Sequence, residues 1–228
     1  MIIAIDGPAG AGKSEISKGL AAKLGFAYLD TGSMYRAIGL KAMRLNVPQD
    51  DESAINDMLK NTDLNVRCSS NGKPDIILDG EDVTGLLRVE EVGDAASHVS
   101  ALPVVREWLL DKQRALAKDG SVILDGRDIG TKVFPDAEVK IYLTASPEVR
   151  AQRRVDQLKD NGVPCDYDTI LREVNERDWR DTHRAISPLM RADDAHLVDS
   201  SDMTIEEVVA TIMQYAERAE VRADDHNV

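Results

Sequence analysis

The chain has 228 residues, 43% of them apolar and 30% charged, enough for one to two globular domains with a real core. Forty-one acidic residues against 28 basic ones give a net charge of −13, which excludes a duplex-coating nucleic-acid protein. Of the 28 cations 17 are arginine, and the stretch from Arg150 to Arg191 holds nine cations against eight acids, so positive charge is concentrated where the rest of the chain is acidic. Cys68 and Cys165 fit no disulfide framework or zinc spacing. The opening Met1–Asp6 leaves no room for a signal peptide and no run of about 18 apolar residues occurs, so a cytoplasmic protein away from membranes is expected.

Short apolar runs alternate with amphipathic ones. Residues 2–5 read as a buried strand, and Ile16, Leu20 and Leu24 share a face of the helix after it. Phe26 to Leu29 reads as a second strand, followed by a helix from about Ser33 to Leu45. Between about 62 and 85 the rhythm changes. Two β-like runs, Leu64–Arg67 and Ile76–Leu78, flank the turn sequence Asn71-Gly72-Lys73-Pro74, and a second turn follows at Asp79-Gly80. This is a β-rich insertion. Two helices come next, one with Val92, Ala95, Ala96 and Val99 on a face, the other with Val105, Trp108, Leu109 and Leu116. Residues 122–124, 139–143 and 195–198 read as buried strands, and Ile205, Val208, Val209, Ile212 and Ala216 stripe a last helix. Short strands separated by helices imply an α/β fold with a parallel sheet covered on both faces.

Gly7-Pro8-Ala9-Gly10-Ala11-Gly12-Lys13-Ser14 fills every fixed position of G-x-x-x-x-G-K-[ST], between a strand and a helix. Glycines let successive N–H groups converge on phosphate oxygens, and the helix start adds its positive end. Lys13 would reach the β- and γ-phosphates, and the Ser14 hydroxyl would meet Mg²⁺ or a water bound to it. A P-loop alone does not separate an enzyme from a switch. The guanine-reading N-K-x-D of regulatory GTPases is absent from the sequence, and the late strands lead into arginines, as phosphoryl transfer requires.

Three stretches could hold a second phosphorylated substrate: Asp30-Thr31-Gly32-Ser33-Met34-Tyr35-Arg36, Leu124-Asp125-Gly126-Arg127-Asp128-Ile129-Gly130-Thr131, and the trio Arg177, Asp181 and Arg184. The first two lie at strand carboxyl ends, where open parallel sheets bind ligands. The trio, spaced i, i+4, i+7, is expected on one helix face. A solvated, salt-bridged face is the alternative reading of the trio and of Arg150, Arg153 and Arg154, as a capped turn is of Arg127-Asp128.

Taken in order, these motifs resemble the bacterial cytidylate kinase family, with Glu176-Arg177-Asp178, Asp181 to Arg184 and Gly80-Glu81-Asp82-Val83-Thr84 extending the likeness from about Ile2 to Tyr215. The resemblance implies a P-loop NTPase three-layer α/β fold with a CORE (about 1–61, 86–149 and 165–228), a nucleoside-monophosphate-binding insertion (about 62–85) and a short LID (about 150–164). It implies ATP-dependent phosphorylation of CMP and dCMP, with Mg²⁺ as cofactor. ATP would lie on Gly7 through Glu15 with Arg153. CMP would meet Thr31, Tyr35, Arg36, Ser97, Arg106, Arg127, Asp128, Arg177, Asp181 and Arg184. Lys13, Arg36, Arg127 and Arg184 would carry the catalytic charge. A monomer, binding neither nucleic acid nor membrane, is expected.

Cytosine offers an amino donor beside two acceptors, so a carboxylate with Arg or Ser complements it, and Asp128 accepting from N4 would reject uracil. No general base is evident or needed, because a phosphate nucleophile is already ionised. Glu15 departs from the family pattern, which commonly has Thr or Ser there, and places a negative charge near the loop. Two other readings therefore stay open: a related P-loop kinase for UMP or dephospho-coenzyme A, and a nucleotide-binding regulator impaired by Glu15.

Overall fold

The computed structural model describes residues 1–68, 74–118 and 120–225. It divides into two compact units, one made of residues 1–25 with 123–228 and the other of residues 26–122.

In the first unit strand β1 (Ile2–Asp6) leads through the Gly-rich loop into helix α1 (Lys13–Leu24), which ends on Gly25 in the left-handed conformation, as helix termini favour. Of the remaining strands, β6 is Val122–Gly126, β7 Val139–Thr144 and β8 His196–Asp199, and within this unit they lie in the order β6-β1-β7-β8. The pairing is parallel, with Ile3 opposite Val139, Ile5 opposite Ile141 and Leu143 opposite Val198. Ile3, Ile5, Ile123, Leu124 and Ile141 are almost wholly buried, which is why β1, β6 and β7 read as unbroken apolar runs; β8, expected to be buried, is an edge strand that buries only Val198. Helix α8 (Ile205–Asp225) packs against α1 and β7, burying Val208, Val209, Ile212 and Ala216.

Helices α6 (Pro147–Asp160) and α7 (Tyr167–His183) form an antiparallel pair. Each start is set locally. Ser146 accepts from the Val149 N–H at 3.2 Å with Pro147 in the first turn, and Asp166 accepts from the Thr169 N–H at 3.0 Å. Ala151, Val155, Leu158 and Ile170 make their common core.

The second unit begins with β2 (Ala27–Asp30), whose Ala27 N–H donates to the Ser121 carbonyl at 3.1 Å. Helix α2 (Thr31–Arg44) follows at once, two residues earlier than its periodicity suggests, because the Asp30 carboxylate caps it by accepting from the Ser33 N–H. Helix α3 (Glu52–Lys60) is not anticipated from the sequence; only Ile55, Met58 and Leu59 bury, a stripe too short to stand out by period. Strands β3 (Leu64–Cys68), β4 (Pro74–Leu78) and β5 (Glu81–Asp82) form an antiparallel sheet with Leu64 opposite Leu78 and Val66 opposite Ile76. The Asp79-Gly80 turn between β4 and β5 takes positive φ at both residues. The Asn71-Gly72-Lys73 turn lies outside the described residues. A 3₁₀ turn (Thr84–Arg88), α4 (Glu90–Val99) and α5 (Pro103–Ala115) complete the unit, with α4 packed on α2 and α5 on α3.

Candidate active site

The loop between β1 and α1 is shaped by steric exclusion. A Cβ on Gly7 would stand 1.9 Å from the Leu143 carbonyl oxygen, so only glycine lets the chain leave β1 beside β7. Gly10, at φ +78°, lies under Arg150, whose Cβ is 3.2 Å from where a side chain would begin. Lys13 is buried and its ammonium donates to the Pro8 carbonyl at 2.8 Å, folding the cation over its own loop. Ser14 is partly exposed in the first turn of α1. Glu15 is exposed and forms an ion pair with Lys18 at 2.9 Å, so its charge is partly offset within α1.

Asp6, the last residue of β1, is absent from the site expected from sequence. Its carboxylate accepts the N–H groups of Ile129 at 2.8 Å and Gly130 at 2.7 Å, the start of one turn of π-helix (Ile129–Val133). It therefore fixes the chain just after Arg127 and Asp128. Burial pushes its pKa up to about 6, against the pull of the two N–H donors; Asp128 adds to the rise and Lys13 opposes it. An acidic residue ending the strand before a P-loop is the sequence signal that could have found it.

The Arg127 Nε donates to Asp181 at 2.9 Å, and one of its terminal nitrogens to the Gly126 carbonyl at 3.3 Å. Arg184 approaches Asp128 at 3.9 Å and donates to the Ser187 carbonyl at 2.6 Å. Burial works to raise the Asp181 pKa, but Arg127, with Arg177 and Arg184, outweighs it and holds the carboxyl below its ordinary value. The structure thus brings Arg127, Asp128, Asp181 and Arg184 together within one unit and sets Arg177 close enough to act on Asp181. The expected common helix face is corrected at one residue. Arg184 has β-region dihedrals and caps α7 from outside, where the Leu189 N–H returns to the Asp181 carbonyl and Ser187 takes positive φ. The chain turns back there, so Arg184 reaches Asp128 by the turn rather than by helical spacing.

Arg153 donates to the Ser200 carbonyl at 2.6 Å, and the Ser200 hydroxyl donates to the carbonyl of Ala11 at 3.3 Å. Arg153 is therefore one residue removed from the Gly-rich loop. Arg154 donates to Gln157 at the surface, as the solvated reading allows. Arg150 does not fit that reading: it is 3% exposed.

In the second unit Arg106 is buried, donates to the Ser100 carbonyl at 2.6 Å and lies over the Tyr35 ring, 5.4 Å from its centroid. The Ser100 hydroxyl donates to the Ser97 carbonyl, which ties Ser97 to the same group. Arg36 donates to the Leu87 carbonyl at 2.9 Å and packs on Gly93, and Thr31 is buried at the start of α2. Each unit by itself assembles its share of the expected site residues.

A Gly-rich loop running from a parallel strand into a helix, with a lysine folded back over it, defines a P-loop nucleoside-triphosphate-binding protein. The family model for cytidylate kinase matches residues 3–218. The chain belongs to the cytidylate kinase family. It is 49% identical over 217 residues to the cytidylate kinase of Aeromonas salmonicida, covering 95% of this chain and 94% of that one. With the cytidylate kinase of Caldicellulosiruptor saccharolyticus it shares 50% identity over 212 residues, 93% of each chain. Among solved structures, an uncharacterised protein from Eubacterium ventriosum matches with a TM-score of 0.51 at 13% identity, over 95% of this chain and 98% of that chain, a likeness of fold alone.

Proposed function

We propose that this chain transfers the γ-phosphate of ATP to CMP and dCMP, giving ADP and CDP or dCDP. The observation that carries the reading is the group of arginines held on Asp181 and Asp128, in the same unit as a complete P-loop. An ionised phosphate oxygen of CMP attacks the γ-phosphorus, and the bond to the β–γ bridging oxygen breaks, leaving ADP. No proton is removed from the nucleophile, so the protein's work is alignment and charge neutralisation.

Lys13 exchanges the Pro8 carbonyl for the β- and γ-phosphate oxygens, with the backbone of Gly7 through Glu15 around the phosphates and Arg153 alongside. Arg36, Arg127 and Arg184 hold the CMP phosphate. Ser97, Arg106 and Asp128 read the cytosine edge, and Thr31, Tyr35, Arg177 and Asp181 line the sugar and phosphate. Mg²⁺ takes few protein ligands and keeps water and phosphate oxygens, so the single Ser14 hydroxyl suits it; among the described residues none group as three His, Cys, Asp or Glu around a metal. Held by the Ser14 hydroxyl, directly or through a water, the ion would supply positive charge that offsets the negative charge of the phosphates. The segment near 62–85 serves as the monophosphate-binding insertion and the stretch 150–164 as the LID, the remainder being CORE.

No helix among the described residues is long and apolar enough to cross a membrane. A cytoplasmic monomer is the setting proposed for the enzyme, and light scattering checks the oligomeric state. The reaction is tested by ADP release with CMP, dCMP, UMP and AMP. Turnover with CMP and dCMP above the other two is expected, and none with either would overturn the proposal.

A further inference from the structure

Arg150, which the sequence did not assign to ATP, is buried beside the Gly-rich loop and bonds both its main chain and α7. Its Nε donates to the Ala145 carbonyl at 2.9 Å, and one terminal nitrogen donates both to the Ala9 carbonyl at 3.1 Å and to Asp178 at 2.9 Å. The other donates to the second Asp178 oxygen at 2.5 Å. The guanidinium is thus clamped by a two-oxygen fork from α7 while it holds the main chain of the P-loop. At 3% exposure this cation requires an anion, and Asp178, its side chain 25% exposed, supplies it.

The peptide plane makes the Ala9 contact consequential. In a trans peptide the C=O and the following N–H point in opposite directions, so fixing the Ala9 carbonyl toward Arg150 fixes the Gly10 N–H away from it. Gly10 also faces the aliphatic part of the same side chain, where an added Cβ would stand 3.2 Å from the Arg150 Cβ. A cradle built from converging N–H groups depends on each such plane being set before the phosphates arrive.

We infer that Asp178 is a positioning residue for triphosphate binding: by clamping Arg150 it sets the Ala9–Gly10 main chain, so that a carboxylate on α7 governs the P-loop through an arginine on α6. This rests on the P-loop holding ATP, as proposed above. It adds Asp178 and Arg150 to the machinery, neither of which needs to touch the reacting atoms in order to act.

The test is steady-state kinetics on the full chain, varying ATP and CMP separately. Asp178→Asn keeps the shape but removes the charge of the fork, and is expected to raise the KM for ATP about tenfold while kcat and the KM for CMP stay within about twofold. In an Arg150→Lys background, which cannot fork, Asp178→Asn is expected to add nothing further. The ligand-free Gly10 amide resonance is expected to move in Asp178→Asn, and this readout stands even if Arg150→Lys does not fold. An ATP KM unchanged in Asp178→Asn, equal rises for ATP and CMP, or a full additional effect in the Arg150→Lys background would overturn the inference. Lys13→Ala separates this from failure of the P-loop assignment. If Lys13→Ala leaves turnover and ATP affinity intact, the assignment itself falls; if Lys13→Ala is crippled and Asp178→Asn is normal, only the clamp falls.

Discussion

In the first unit Arg127, Arg150 and Lys140 lie against the carboxylates of Asp181, Asp178 and Asp194, at 2.9, 2.5 and 2.7 Å, and Arg150 and Lys140 are buried as they do so. In the second, Arg36 and Arg106 donate to the main-chain carbonyls of Leu87 and Ser100, the buried Lys41 pairs with Asp79 at 2.7 Å, and the Arg44–Glu81 fork stands in solvent. The two modes do different work. A carboxylate fixes a guanidinium and cancels charge that would otherwise be costly to bury. A carbonyl fixes the direction of a guanidinium without itself cancelling its charge. The contrast makes the first unit's ion pairs part of its stability and the second unit's exposed pair dispensable.

The sharpest way to break that contrast is Arg127→Ala, which takes from the buried Asp181 carboxylate its hydrogen-bonded partner and leaves only Arg177 and Arg184 nearby. Urea unfolding is expected to show a loss of about 3–5 kcal/mol in addition to impaired turnover. An unchanged midpoint would mean that the pair is not structural.

The second effect is on pH dependence, and Asp6 and Asp181 oppose one another. The folded-state pKa of Asp6 is raised from 3.8 to about 6, so its stabilising contribution is full below the unfolded pKa and is lost as pH rises through 6. The swing is about 3 kcal/mol. Asp181 is held below its ordinary value, so its contribution is present above the unfolded pKa and is lost as pH falls through the lowered one. Carboxyl carbon titration followed by NMR should place the Asp6 midpoint near 6 and that of Asp181 below 3.8. Denaturant midpoints for Asp6→Asn, whose side chain does not ionise, should improve relative to the parent between pH 4 and 6.5.

A smaller effect concerns base choice. Asp128→Asn should narrow the CMP-over-UMP ratio of kcat/KM by about ten- to a hundredfold, the usual size of one base-edge hydrogen-bonding contact. An unchanged ratio would move base reading to the second unit's Arg106 and Ser97. The smallest effect is at Arg44→Ala, where removing an exposed fork should leave the unfolding midpoint and CMP turnover unchanged within error.

How much of this was legible beforehand divides along the range of the interactions. The Gly-rich loop, the runs of β1, β6 and β7 and most helix faces are periodic or motif-bound within a few residues and appear where the spacing put them, whereas β8 buries only Val198 and Ile205 at the start of α8 is exposed. Asp6 and Arg150 act across 123 and 141 residues of chain, on Ile129 and Ala9, and even where a local signal marks one end, as at Asp6, it does not name the partner at the other. Arg150, Arg153 and Arg154 look interchangeable as letters, yet one is buried on the P-loop, one bonds Ser200 and one, half-buried, bonds Gln157 on its own helix. Arg184 shows the converse: helical spacing suggested proximity to Asp181, and the structure achieves it by ending the helix. Helix α3 was missed because its apolar stripe is only three residues deep.

The division of the chain has a consequence for synthesis. Residues 26–122 are contiguous, so all partners within the second unit are available once residue 122 has left the ribosome. Strand β1 is made first, yet its parallel neighbour β7 begins at Val139. The segment that will form the P-loop must therefore wait through more than half the length of the nascent chain before its sheet can close. A stall between residues 122 and 139 would leave Ile2, Ile3 and Ile5 without the β7 side of their sheet, the hydrophobic stretch a nascent-chain chaperone would be expected to cover.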